Sequence, residues 1–200
     1  MDGIIKQCGV LILAAGSSSR MGKPKQLLEF EGGTLLSHIA KVVCQSNLHP
    51  IIVVLGANEN SIRNSLDASQ LDIVTNENWE TGMSSSIVKG ILYIKEKYPN
   101  VDGVMIVVAD QPYLNETQMH QLIDSHNKTG LPIAACSYAG SIGTPALFHE
   151  SVFSELLALN GDIGAKKIIE KRMPNVATIN FDKGVIDIDT KEDYLNLIRK

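Results

Sequence analysis

An unbroken apolar run that stops at a glycine, CGVLILAAG at positions 8–16, constrains this chain more than any other feature. Leucines and β-branched residues in succession suit a strand covered on both faces, the setting of a central parallel strand. A polar loop, SSSRMGKPKQ, follows it. TLLSHIAKVVCQSN then carries Leu35, Leu36, Ile39, Val42 and Val43 at helical spacing. PIIVVLG and LDIVTN read as further strands, with a short helix around residues 58–67 between them. The stretch 82–98 is expected to be a helix with Met83, Ile87, Ile91 and Ile94 on one stripe. DGVMIVVADQP reads as a fourth strand, the most apolar of all, and ETQMHQLIDSHNK as an amphipathic helix. Strand and helix alternating in this way is the pattern of right-handed crossovers and a parallel sheet.

The second half breaks that rhythm. LPIAACSY and TPALF read as two strands with Gly140 and Gly143 between them and no helix. Two short helices, SVFSELLAL and IGAKKIIEKR, flank an Asn-Gly-Asp turn. VATINF and GVIDID read as strands, and KEDYLNLIRK as a closing helix. The expected class is α/β: a three-layer α/β/α architecture with a Rossmann-like, mostly parallel sheet and a mixed C-terminal part. The 200 residues fit one domain, 1–200, with no repeat or linker.

Bulk properties exclude several partners. A net charge of −4 gives no basic surface for nucleic acid. No apolar run approaches the ~20 residues of a membrane span, and Val10–Ala15 is too short for a signal peptide. Cys8, Cys44 and Cys136 are scattered and odd in number, which suits reduced thiols. A cytoplasmic protein with no nucleic-acid or membrane partner is expected. No long apolar stripe is left over, so a monomer is expected as well.

Five segments carry candidate chemistry. LAAGSSSRMGKPK places Leu13, Ala14, Ala15, Gly16, Ser17 and Ser18 at the carboxyl end of the first strand, where doubly wound folds bind ligands. Small residues there let backbone N–H groups approach an anion closely. Arg20 and Lys25 add positive charge, Arg20 with a fork able to bind two oxygens. A Walker loop is excluded because Pro24 stands where Ser or Thr is needed, and no GxGxxG is present. By residue type alone, the same stretch also suits a solvated surface loop.

VVADQP ends an apolar strand in Asp110. A carboxylate there suits Mg²⁺, which favours one or two carboxylates plus substrate phosphates; it also suits a turn cap. In VIDIDT, Asp187 and Asp189 are two apart, which on a strand puts both on one face. Asp187 is the preferred second ligand and Asp189 stays open, since Asp189 or Thr190 can instead cap the closing helix. NENWETGMSSSIVKG gathers Asn76, Gly82, Ser84, Ser85 and Ser86 around a helix start, able to hold a base, ribose or phosphate or simply to cap the helix. Gly56, closing the second strand, is grouped with these binding positions. Trp79 can lie over a flat ligand or pack. In GDIGA, Asp162 is first a helix N-cap and second a further anion-side residue. The five histidines have no metal-ligand spacing, and no covalent nucleophile emerges, which favours direct transfer between bound substrates.

Taken together, these segments resemble the MobA-like NTP transferase family, and within it the molybdenum cofactor cytidylyltransferases. LAAGSSSRMGKPKQLL is similar to the family's LAAGxSxRMGxPKxL opening. NENWETGMSSSIVKG, VVADQP, GTPALF, NGDIGAKKII and VIDIDTKEDY are similar to its later motifs, in family order along nearly the whole chain. The resemblance implies a nucleotide-diphospho-sugar transferase-like fold with a nucleotide-binding N-terminal half and an acceptor-binding C-terminal half. It implies Mg²⁺ at Asp110 with Asp187, and catalytic roles for Arg20, Lys25 and Asp110. It implies that the terminal phosphate of molybdopterin attacks the α-phosphorus of CTP and pyrophosphate leaves. The molybdopterin cytosine dinucleotide formed would serve a xanthine-dehydrogenase-type molybdoenzyme. Ala15 and Pro24 stand where guanylyl-transferring relatives carry Gly and Asp, which resembles the cytidylyl branch. The alternatives are a related nucleotidyltransferase with another base or acceptor (GTP, ATP, a sugar phosphate), or a non-catalytic molybdenum cofactor carrier.

Overall fold

The apolar run at the start of the chain becomes β1, Cys8–Leu13, with every residue buried. The computed structural model describes residues 4–18 and 21–199. After β1 come a short hairpin of β2 (Glu29–Phe30) and β3 (Gly33–Thr34), α1 (Leu35–Gln45), β4 (Ile51–Leu55), α2 (Glu59–Arg63), β5 (Asp72–Thr75), α3 (Met83–Lys97) and β6 (Gly103–Val108). The second half supplies α4 (Glu116–Thr129), β7 (Ile133–Tyr138), β8 (Ser141–His149), α5 (Phe153–Leu157), α6 (Lys166–Arg172), β9 (Ala177–Asn180) and α7 (Lys191–Ile198).

Seven strands form one sheet in the order β5-β4-β1-β6-β8-β7-β9. β1 pairs in parallel with β4 and β6, and β4 with β5. β8 runs antiparallel to β6 and β7, and β9 returns parallel to β7. Alternation along the strands feeds two cores. Val10 and Ile12 pack with Leu36, Ile39 and Val43 of α1, Ile62 of α2, and Met119 and Leu122 of α4. Leu11 and Leu13 pack on the other face with Ile87, Ile91 and Ile94 of α3, Phe153 and Leu156 of α5, and Ile168 and Ile169 of α6. Helices therefore cover both faces, giving the expected three layers. A third, smaller cluster of Met21, Leu28, Leu35, Ile188 and Leu197 ties α7 to the segment after the first loop.

Helix starts follow from local chemistry. Thr34, Asn115 and Thr190 each close a capping box with the third helical residue of α1, α4 and α7. Asp189 therefore does not cap α7. No helix among the described residues is long and apolar enough to cross a membrane. Cys8 and Cys136 are buried free thiols whose pKa burial pushes up to about 12, so both stay neutral.

Three expectations fail. GVIDID is not a strand: Asp182–Val185 is a 3₁₀ turn, and the residues after it run irregularly to Thr190. Its alternation resembles a strand because Ile186 and Ile188 are the less exposed positions between Val185, Asp187 and Asp189, yet the backbone tether here is Ile188 N–H to Asp110 O, 3.1 Å. The strand argument for one shared face of Asp187 and Asp189 falls with it. Met83 leaves the buried stripe of α3 and is 45% exposed. Asp162 does not cap α6, which begins at Lys166 behind Ala165 with no side-chain cap.

Candidate active site

Parallel β1, β4 and β6 bring the loops after their carboxyl ends to one rim, where open α/β sheets bind ligands. A cleft of about 400 Å³ lies there, within the range of small-ligand sites. Its walls include Leu13, Ala14, Ala15, Gly16, Ser17, Lys25, Gly82, Asp110 and Asp162, all expected site residues. Gln26, Trp79, Glu80, Thr81, Met83, Ser86, Val108 and Ala109 complete the lining.

The first loop is arranged for an anion. Its carbonyls are occupied in series: Leu13 O accepts from Ala109 N–H (3.2 Å) and Ala15 O from Ala57 N–H (3.0 Å). Ala14 O and Gly16 O both accept from Gln26 Nε2, at 2.9 Å each. Among the described residues, the N–H groups of Ala15 to Ser18 have no recorded partner. A loop with carbonyls engaged and N–H groups open can accept an anion. Ser18 supports it from outside the cleft, at φ 56, accepting from Lys25 N–H at 3.0 Å. Arg20 lies outside the described residues.

At the floor, Lys25 Nζ bridges Asp110 Oδ2 at 2.5 Å and Asp189 Oδ1 at 3.0 Å. Burial by itself would lower the Lys25 pKa. The Asp110 charge and the hydrogen bonds to both carboxylates outweigh it, so the pKa rises and the ammonium is retained. The other oxygen of Asp110, Oδ1, is buried and has no hydrogen-bond partner among the described residues. An orphaned carboxylate oxygen costs folding energy, roughly 1–3 kcal/mol, and could accept a cation or a donor from a ligand. Among the described residues no group of three or more His, Cys, Asp or Glu could hold a metal. Asp110 with one further carboxylate would need substrate oxygens to complete a divalent-cation site, as Mg²⁺ sites do.

Asp187 stands on the mouth of a neighbouring depression with Tyr113, Val185 and Asp193, not in the main cleft. Its segment is tied to the Asp110 strand end at two points. Gln111 Nε2 donates to Gly184 O at 3.0 Å, and Ile188 N–H donates to Asp110 O. The Asp187 carboxyl is pushed up to about 6, first by lost hydration and next by the Asp110 charge, against a hydrogen bond from Gln111. A folded value above the unfolded one of about 3.9 favours the native state at low pH. That contribution is present below about pH 4 and lost as pH rises through about 6. Asp187→Asn is therefore expected to raise Tm slightly at pH 8, with the difference from the parent closing by pH 4. A gain that grew on acidification would contradict the assignment.

The 76–86 segment serves as frame more than lining. Buried Asn76 donates to Ser85 Oγ (2.7 Å) and Ser86 Oγ (3.0 Å) and accepts from Asn78 N–H (3.0 Å). Ser85 Oγ donates toward Gly82 O at 2.8 Å, and Ser84 Oγ to Gly161 O at 2.6 Å. Gly56 lies beneath the cleft: a Cβ there would sit 2.6 Å from Trp79 Cβ and 2.9 Å from Ala15 Cβ. Trp79 thus both packs, on Gly56, and lines the cleft.

Gly82 joins the two halves. It has φ 109, and a Cβ would lie 2.5 Å from Gly161 O and 2.6 Å from Asp162 N and Cα. Gly82→Ala is expected to cost about 3 kcal/mol through strain and backbone collision, a Tm drop of roughly 6–12 °C in thermal unfolding. Gly164→Ala should cost much less, since its Cβ would meet only the movable Met83 Sδ at 2.7 Å. Equal Tm values for the two variants would refute the docking of these loops.

Gln26 and Gln111 were not singled out from sequence. Each is a buried amide inside a quoted segment, Gln26 in LAAGSSSRMGKPKQLL and Gln111 in VVADQP, but residue type alone does not show that either side chain turns inward to backbone carbonyls.

Residues 10–176 match the MobA-like NTP transferase domain family. Nicotine blue oxidoreductase of Paenarthrobacter nicotinovorans is 27% identical over 197 residues, covering 94% of this chain and 95% of that one. Purine catabolism protein PucB of Bacillus subtilis is 27% identical over 201 residues, covering 95% of each. Among solved structures, Rv0371c from Mycobacterium tuberculosis H37Rv superposes with a TM-score of 0.85 at 29% identity, covering 97% of this chain and 98% of that one. A complex of the same protein with manganese superposes at 0.81 and 27% identity, over 98% of this chain and 100% of that one. With the family match spanning residues 10–176 and the sheet superposing on these structures, the chain belongs to the MobA-like NTP transferase family and is a nucleotidyltransferase.

Proposed function

We propose that this protein transfers CMP from CTP to the terminal phosphate of molybdopterin and releases pyrophosphate. One observation carries the reading: the buried Asp110 Oδ1, with no partner among the described residues, belongs to a cleft that is also lined by residues 15–17 of the loop with open N–H groups. The first half of a single domain spanning 1–200 holds the nucleotide, and the second half holds the acceptor at the Gly161–Gly164 side. Asp110, with Asp187 or Asp189, would hold Mg²⁺; the manganese complex of Rv0371c supports a divalent ion. Bound there, the ion supplies positive charge against the triphosphate and its developing negative charge.

The chain's own groups do the rest. The 15–18 amides and Lys25 bind the phosphates and offset the charge that gathers on the leaving pyrophosphate. Arg20 adds to them. The wall of Gly82 and Asp162 fixes where the acceptor phosphate lies relative to the α-phosphorus, so that attack is in line. Ala15 and Pro24 support CTP over GTP. The name of the Bacillus subtilis relative links that protein to purine catabolism, which agrees with a product destined for a xanthine-dehydrogenase-type molybdoenzyme.

Purified protein with Mg²⁺ and molybdopterin is to be offered CTP, GTP and ATP, with pyrophosphate release and product mass as readouts. A CTP-selective dinucleotide is expected. Release with another nucleotide moves the protein to another branch of the family. Cofactor binding without release from any nucleotide would indicate a carrier. Oxidation or reduction of a substrate without pyrophosphate release, the kind of activity named for the Paenarthrobacter relative, would overturn the transferase reading.

A further inference from the structure

We infer that Gln26 is the positioning residue that shapes the phosphate cradle and couples it to Lys25; the inference rests on the reading that residues 15–18 bind the triphosphate. Gln26 is 1% exposed, although it is polar and uncharged and sits in a short 3₁₀ turn, Lys25–Leu27. Its amide is fully used. Both Nε2 hydrogens go to loop carbonyls, Ala14 O and Gly16 O, at 2.9 Å each. Oε1 accepts from Ser18 Oγ at 3.3 Å. One side chain therefore contacts three alternate residues of the loop, 14, 16 and 18.

The consequence is electrostatic as much as steric. A carbonyl oxygen facing a bound phosphate repels it, and an N–H facing it attracts it. By engaging the carbonyls of Ala14 and Gly16, Gln26 removes those oxygens from the anion's surroundings and leaves the N–H groups available. Its backbone adds a second constraint, because the preceding residue is Lys25, whose N–H is held by Ser18 Oγ at 3.0 Å and whose Nζ reaches Asp110. Displacing Gln26 shifts the cradle and the floor cation together.

The donor role separates cleanly from a space-filling role. Glu has the shape of Gln but places a carboxylate against two carbonyl oxygens; Met keeps volume and offers neither donor nor charge. A donor role ranks affinity as Gln above Met above Glu. A space-filling role ranks Glu with Gln.

Binding of Mg²⁺·CTP and of Mg²⁺·pyrophosphate is to be measured by calorimetry for the parent, Gln26→Met and Gln26→Glu, without any turnover. Gln26→Met is expected to weaken both ligands roughly 10–100-fold, from two lost hydrogen bonds, and Gln26→Glu by more. Should either variant fail to fold, Ser18→Ala, which removes only the hydroxyl on Oε1 and Lys25 N–H, is expected to weaken both ligands several-fold. Parent-like affinity in Gln26→Glu, or in Ser18→Ala when the others do not fold, overturns the inference and leaves the functional reading standing. Failure of the parent itself to bind Mg²⁺·CTP overturns the functional reading and the inference with it.

Discussion

Asp110→Ala is expected to lower kcat by about 10³-fold or more while the protein remains folded, because the residue gives its electrostatics to substrate and little to the native state. The structural case has two parts. One oxygen, Oδ1, is buried without a partner among the described residues, so its removal relieves a cost. The other pairs with Lys25, which keeps Asp189 when Asp110 is gone. The net change in stability should stay within about 2 kcal/mol, a few degrees of Tm for a chain of this size. Activity assays and thermal unfolding on the same preparation check both halves. A variant that unfolded, or one that turned over at near-parental rates under saturating Mg²⁺, would remove Asp110 from its place.

Lys25→Met is expected to act in two opposite directions. In the free protein Lys25 is the cation between Asp110 and Asp189. Without it, two carboxylates share the floor uncompensated, and binding of Mn²⁺ by the nucleotide-free protein should tighten. Affinity for the triphosphate should fall with the lost ammonium, and kcat by about 10²–10³-fold. Electron paramagnetic resonance of Mn²⁺ and steady-state kinetics separate the two. If Mn²⁺ bound no better to the variant, Lys25 would not be occupying the charge position of the ion. The pairing explains why a divalent ion and the nucleotide should enter together: the nucleotide gives Lys25 another anion to meet.

Parts of this molecule differ in how openly the chain displays them. β1, β4 and β6 were readable because a strand covered on both faces admits few polar residues, and VLIL, IIVVL and VMIVV contain none. The glycine loop and Asp110 were readable for the related reason that they follow directly from those strands. Helix caps at Thr34, Asn115 and Thr190 are local and follow from short-range rules.

What was hidden depends on distant partners. The 185–189 stretch alternates like a strand, but its register is set by Gln111 and the Asp110 carbonyl, more than 70 positions away. Met83 fits a helical stripe, yet it is the first residue of α3 and lines the open cleft, so it stays exposed. Asp162 looks like a cap, but Gly161 is docked on Gly82 and Ser84, and α6 begins further on. The hairpin at residues 29–34 is too short for a periodic signal. Gly56 lies against Trp79 and Ala15, and Asn76, Ser84 and Ser85 come together around the start of α3. Their side chains hold each other and the backbone, with Gly56 providing room for Trp79.

The most direct test of the site is the anomalous diffraction of Mn²⁺ in crystals of the protein with CTP. The account predicts a manganese peak within ligand distance of Asp110 Oδ1, with the triphosphate along the N–H groups of residues 15–18 and Lys25 Nζ drawn from Asp110 to the phosphates. Manganese bound away from Asp110, or CTP bound outside this cleft with the Lys25–Asp110 pair intact, would contradict it.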